Sequence, residues 1–164
     1  YKLDFLAKES DFISLGQLLA SQGDAYKVAV ALEQAMRNKR IETTEKSLRL
    51  MQQAWMQARE MPKARQALSV LFAEFKHQKD GIRLMQYLVD DEKWIEALSV
   101  GEKLHSLSLS EKQRGSLLLL EGICQFRSGK TRLALNALSK AMAIQSSSSQ
   151  AKGWMSYIKQ LHQG

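Results

Sequence analysis

The stretch Leu117–Ala143, LLLLEGICQFRSGKTRLALNALSKAMA, decides how this chain is read. It divides into two apolar runs at Ser128-Gly129. Ahead of the break, apolar side chains stand at Leu117, Leu118, Leu120, Ile123, Cys124 and Phe126. Behind it they stand at Leu133, Ala134, Ala137, Leu138, Ala141 and Met142. The second set recurs at steps of three and four, the spacing of one helix face. Two helices joined by a short turn pack against each other, and small residues mark where they approach. Gly122 sits inside the first helix, where glycine costs about 1 kcal/mol relative to alanine, so close packing is the expected reason for it. Ala134 presents almost no side chain to the helix before it.

The pattern repeats toward the N-terminus. Residues 1–8 read as the end of a preceding helix or a lead-in. A helix follows from Asp11 to Gln22, with Ser10 as its N-cap and Phe12, Leu15, Leu18 and Leu19 as its apolar face. In it Gly16 stands where Gly122 does, and Gly23 where Gly129 does. The return helix, Ala25 to Asn38, carries Val28, Leu32, Ala35 and Met36. The next helix opens around Thr43–Lys46, with Thr44 able to cap it, and has the stripe Leu48, Met51 and Trp55. Its return begins near Glu60, with Pro62 in the first turn, where a missing N–H costs nothing. Ala64, Leu68, Leu71 and Phe72 then face inward. His77–Gly81 reads as a turn. Ile82, Leu84, Met85 and Leu88 form a short helix, Asp90-Asp91 breaks it, and Trp94, Ala97, Leu98 and Leu104 make the return.

Ser106–Ser110 reads as a longer loop. The small or modest positions Val28, Ala64, Ala97 and Ala134 therefore lie 36, 33 and 37 residues apart. A plain bundle accounts for the period within each helix but not for that recurrence. At the C-terminal end, Ser146–Ser149 reads as a polar linker. Gln150–Gln163 reads as a last helix, with Trp154, Tyr157, Ile158 and Leu161 on one face and Lys152, Ser156, Lys159 and Gln160 on the other. A polar outer face suits a lid on a repeat array.

With Gly122, Ala134 and Ala141 at the small eighth, twentieth and twenty-seventh positions and Leu138 at the bulky twenty-fourth, the unit resembles the tetratricopeptide repeat (TPR), a helix–turn–helix of roughly 34 residues. It departs from that pattern at Ser146, where a proline is usual, and at Gln125, where an aromatic is usual. The resemblance implies an all-α fold of antiparallel helix pairs, stacked as a right-handed superhelix (an α–α solenoid) and closed by a C-terminal capping helix. It implies four degenerate units over 9–144, at about 9–41, 42–77, 78–109 and 110–144, then a linker and capping helix at 145–164.

The sequence carries few residues arranged for chemistry. Ser128-Gly129-Lys130-Thr131 resembles the end of a phosphate-binding loop. The glycine required five residues earlier is Cys124, however, and the preceding element is a helix rather than a strand. His77, His105 and His162 have no second ligand at metal spacing. Cys124, the single cysteine, reads as a buried structural thiol. Asp90-Asp91-Glu92 reads as a charged turn. The chain is read as a non-enzyme without cofactor, metal site or small-molecule substrate. No apolar run reaches the roughly 18 residues of a membrane span. The chain starts at Tyr1, so the expected N-terminus is a cut, with any signal or anchor upstream.

The net charge is +7, and residues 121–164 hold six basic groups against the single acidic Glu121. Such an imbalance points to an acidic partner near the C-terminal end, or serves solubility alone. Nucleic acid calls for exposed rings beside cations. Arg127, Lys130 and Arg132 cluster, but Phe126, Trp94 and Trp154 are expected on buried faces, which counts against that partner.

In TPR arrays the first helices of the pairs line a concave surface. The family geometry carries over here to Gln17, Lys46, Arg49, Gln53, Met56, Lys79, Gln86 and Arg127, with the apolar Ile13, Ile82, Val89 and Ile123 beside them. Amides, apolar groups and cations together suit a peptide or helix with an acidic element. The family's chaperone-tail clamp is not reproduced, because the only asparagines, Asn38 and Asn136, stand on second helices.

A closer resemblance rests on ordered motifs: Ser21-Gln22-Gly23-Asp24-Ala25-Tyr26-Lys27-Val28-Ala29, Glu45-Lys46-Ser47-Leu48, Gln52-Gln53-Ala54-Trp55-Met56-Gln57-Ala58-Arg59-Glu60, Lys79-Asp80-Gly81, Asp91-Glu92-Lys93-Trp94 and Gly153-Trp154-Met155-Ser156-Tyr157-Ile158. In this order they resemble the C-terminal half of periplasmic TPR proteins associated with TonB systems. That resemblance implies a non-catalytic scaffold, accessory to TonB-dependent energy transduction and iron uptake, with TonB-complex components as partners, a periplasmic location and further repeats upstream. The competing expectation is a cytoplasmic TPR protein of regulatory or nucleic-acid-associated function.

Overall fold

Residues 24–161, together with Ser14, Gly16 and Ser21, are described by the structure, a computed structural model. All the regular elements among them are helices: α1 (Ala25–Arg37), α2 (Glu45–Gln57), α3 (Met61–Phe75), α4 (Gln78–Asp90), α5 (Trp94–His105), α6 (Glu111–Arg127), α7 (Thr131–Met142) and α8 (Gln145–Leu161). The expected lead-in at 1–8, the Ser10 cap and Gly23 lie outside the described residues, as does most of the expected helix from Asp11 to Gln22. The chain divides into two compact units, residues 1–76 and 77–164. In the first, α2 packs between α1 and α3; in the second, α6 packs against α4, α5, α7 and α8.

Side-chain caps fix two of the starts. The Thr44 side chain accepts from the Ser47 N–H at 3.2 Å, and Ser47 Oγ accepts from the Thr44 N–H at 2.9 Å. At α6 the Ser110 Oγ accepts from the Gln113 N–H at 3.2 Å, while the Gln113 side chain accepts from the Ser110 N–H at 2.9 Å. Both are reciprocal boxes that satisfy two helix-end donors. The loop Ser106–Ser110 thus ends in a helix-initiating signal.

The turn inside each described pair has one construction. Arg59 (φ 60°), Glu92 (φ 59°) and Gly129 (φ 76°) are left-handed. The following N–H groups close back on the first helix: Glu60 to the Trp55 carbonyl at 2.9 Å, Lys93 to Leu88 at 2.8 Å and Lys130 to Gln125 at 2.8 Å. Each left-handed residue lies five positions before a fully buried alanine, namely Ala64, Ala97 or Ala134. Glycine takes this conformation freely, whereas arginine and glutamate hold it at about 1–2 kcal/mol.

In the second unit the crossings pair a large side chain with a small one. In α6–α7, a Cβ added at Gly122 would lie 2.5 Å from Leu138 Cγ. In α4–α5 the sizes are exchanged. Met85 holds the position equivalent to Gly122, and Gly101 the one equivalent to Leu138. A Cβ at Gly101 would meet Met85 Cε at 3.3 Å and Glu121 Oε1 at 3.1 Å. In α2 the equivalent position is the buried Gln52, whose Nε2 donates to Met56 Sδ at 2.7 Å. Gly16 repeats the close approach: its added Cβ would stand 3.1 Å from Leu50 Cδ2 and 3.4 Å from Val28 Cγ1.

Two expectations are corrected. His77–Gly81 is not a turn, because α4 already runs from Gln78. Ser146–Ser149 is not a linker but lies within the first turns of α8. Burial overrides the loop-like composition of that run. Ser147 is buried, its Oγ donates to the Ala141 carbonyl at 2.7 Å, and Gly115 of α6 backs directly onto it.

Gly122→Ala tests the crossing. Alanine improves helix propensity by about 1 kcal/mol, but its methyl meets the fully buried Leu138, and such overpacking costs about 1–3 kcal/mol. We expect urea unfolding to show a net loss of about 1 kcal/mol rather than the gain that propensity alone would give.

Candidate functional site

Helix α8 turns two faces inward. Ser147, Ala151 and Ile158 go into the core with Leu138 and Ala141 of α7. One step round the helix, Gln150, Gly153, Trp154 and Tyr157 follow the same three-and-four spacing but line a cleft. Its other walls are Leu119, Leu120 and Ile123 of α6 and Gln86 of α4, and its volume is about 470 Å³. All of it lies within the second unit.

An aromatic group builds one wall. Trp154 and Tyr157 meet edge to face at 5.8 Å, and Phe126 joins them at 6.3 Å and 5.9 Å, with interplanar angles between 62° and 82°. The Arg127 guanidinium stands 5.8 Å from the Trp154 ring centre. Across the cleft, Gln86 Nε2 donates to Asp90 Oδ1 at 2.8 Å. This corrects the expected burial of Phe126 and Trp154: both are only half-buried, and Tyr157 is 44% exposed. Apolar periodicity locates such a face without distinguishing a core from an open cleft.

The cleft brings together two of the expected surface residues, Gln86 as a lining group and Arg127 beside Trp154, with Ile123 between them on α6. Lys79 is exposed in the first turn of α4. In the first unit, Lys46 and Gln53 are exposed on α2. Arg49 is half-buried, its guanidinium 2.7 Å from Glu45 Oε1. Met56 is half-buried, packs against the core cluster around Trp55 and accepts from Gln52. Gln17 and Ile13 lie outside the described residues. Ile82 and Val89 are half-buried.

The remaining polar groups serve packing. His105 Nε2 and Glu121 Oε1 are 2.6 Å apart across α5 and α6. The single acidic group of the C-terminal quarter is thereby engaged away from the cleft and is mostly covered. Cys124 is fully buried. Burial first, and the Glu121 carboxylate second, push its thiol from 9.0 up to about 11. Gly129, with its positive φ, forms the α6–α7 turn in the segment that resembled a phosphate loop. Among the described residues no group of three or more His, Cys, Asp or Glu side chains is placed to hold a metal ion. Among them, too, no helix is long and apolar enough to cross a membrane.

The sequence matches no family model and no curated protein. Solved structures do match it. The MamA RS-1 ArsTM double mutant superposes with a TM-score of 0.62 at 14% identity, covering 85% of this chain and 78% of that one. MamA 41-end from Desulfovibrio magneticus RS-1 superposes with a TM-score of 0.61 at 12% identity, covering 96% and 98%. At these identities the likeness shows the fold alone: an all-helical, TPR-like α solenoid.

A thiol raised by burial reacts slowly, because the thiolate is the nucleophile. At pH 8 about one Cys124 thiol in a thousand is ionised. A disulfide-exchange reagent should leave Cys124 unmodified in the folded chain and label it stoichiometrically in urea. Because the folded chain holds the thiol proton more tightly than the unfolded one, Cys124 leaves stability untouched below pH 9 and lowers it as the pH climbs toward 11.

Proposed function

We propose that this chain is a non-catalytic protein-interaction scaffold, and that the cleft between α4, α6 and α8 is one of its docking points. The observation that carries the reading is the cleft itself. An apolar concavity with two amides and one flanking cation is the kind of surface that orients a peptide segment. The TPR-like fold supports the same reading.

The finer assignment is an accessory role in a TonB-dependent uptake system, in the periplasm, with components of the TonB complex as partners. It is supported by the ordered motifs from Ser21 to Ile158 and by the cationic, amide-rich first helices. The superposed structures speak to fold and add nothing to it.

Co-purification of the full-length protein with TonB-complex components tests this assignment. Lys46→Glu, Arg49→Glu and Lys79→Glu reverse exposed or half-exposed charges, and such sites contribute about 0–1 kcal/mol to stability, so the variants should fold. Recovery of the partner should fall severalfold for the combined variant. Full recovery would remove these cations from the docking surface, and absence of TonB components from the parent's eluate would remove the assignment.

A further inference from the structure

Gly153 is a glycine without a structural reason. Gly101, Gly115 and Gly122 each back onto a neighbouring side chain, and Gly129 has a positive φ. Gly153 does neither. A Cβ built there would meet no atom within 4 Å, and its backbone is ordinary helix. Inside a helix and exposed, it costs about 1 kcal/mol relative to alanine. Yet it lies in the wall of the cleft, between Gln150 and Trp154. A missing side chain facing a cavity leaves room for something that is not part of this chain.

We infer that the cleft takes a large apolar side chain of an acidic peptide segment, seated over Gly153 and flanked by Arg127. This rests on the scaffold reading and names the partner's chemistry. Apolar walls from Leu119, Leu120 and Ile123 reward burial of such a side chain. The sign of the flanking charge follows from the cations around it. Arg127 stands over Trp154, and Lys152, next to Gly153, is exposed. Glu121, the one carboxylate of residues 121–164, is held by His105. A carboxylate flanking the apolar anchor would therefore meet Arg127 and Lys152 beside the α6 and α8 walls, while Asp90, the carboxylate of the α4 side, is engaged by Gln86. Nucleic acid fits less well. Stacking needs open ring faces, and here Phe126, Trp154 and Tyr157 each already pack edge to face against the other two.

Selection of a random-peptide phage library on the full chain tests the inference. The recovered peptides should share an aromatic or large aliphatic residue beside Asp or Glu. Arg127→Glu should weaken them about tenfold, as loss of an interfacial charge pair does. Gly153→Leu should fill the cleft and abolish binding, while melting at or above the parent temperature. Should that variant unfold, Tyr157→Ala, at an exposed position, takes its place and should weaken binding likewise.

Neutral or basic peptides would overturn the acidic partner and leave cleft docking standing. Peptides bound equally well by Gly153→Leu and Tyr157→Ala would overturn the cleft as their site. No enrichment at all would overturn the inference together with the scaffold reading of this cleft. A single-stranded oligonucleotide that displaces the selected peptides at lower concentration than unlabelled peptide would overturn it in favour of nucleic acid.

Discussion

Two helices approach closely only where the side chains between them add up to a fixed volume, and the two pairs α4–α5 and α6–α7 meet that condition by pairing one large residue with a glycine. In α6–α7 the small partner is Gly122 and the large one Leu138; in α4–α5 the large one is Met85 and the small one Gly101. Interiors pack about as densely as organic crystals, so neither pair has room for two large residues. The turn sets the register of the crossing. A left-handed residue at Arg59, Glu92 or Gly129 stands five positions before Ala64, Ala97 or Ala134, so the turn delivers each alanine to the contact. Turn and crossing act together: a shift of one residue would swing the alanine outward and bring a longer side chain against the first helix.

The same constraint places the cleft. Gly115 and Ser147 let the start of α8 lie against α6, and the Ser147 hydroxyl is satisfied by the Ala141 carbonyl. With that end fixed and Ala151 and Ile158 in the core, the helix period carries Gln150, Gly153, Trp154 and Tyr157 to the neighbouring face. Binding chemistry on this chain is then a consequence of packing. The face that opens on the cleft is the one left beside a close approach. Its character comes from a few choices: an aromatic wall, a cation over Trp154, and a glycine where any side chain would fit.

Much of the fold was legible in the sequence because it depends on residue size at a recurring interval. Val28, Ala64, Ala97 and Ala134 were readable from spacing alone, and all four are buried. The TPR-like pattern read from Gly122, Ala134, Leu138 and Ala141 agrees with the fold of the superposed structures. Other features left weaker traces. The left-handed turns at Arg59 and Glu92 carry no glycine to announce them. The exchange of Met85 for glycine hides one crossing from a pattern that expects the small residue on the first helix. The serine run at 146–149 has loop composition, and only the buried contact of Ser147 with Gly115 makes it helix. Trp154 and Tyr157 were visible as an apolar face, but periodicity cannot separate a face that meets a core from one that meets a cleft. Of the expected surface residues, Gln86 lines the cleft and Arg127 stands over Trp154 beside it, while Met56 is partly buried against the first unit's core.

The most direct measurement is a double-mutant cycle at the α6–α7 crossing, Gly122→Met with Leu138→Gly, which imposes the size order that Met85 and Gly101 already use. Helix-propensity costs of the two changes cancel in the cycle, which leaves the coupling between them. If complementary volume governs the crossing, each single variant loses stability in urea, and the double variant recovers at least about 1 kcal/mol of the summed loss. Losses that simply add would mean that the two positions do not sense each other, and would contradict the account.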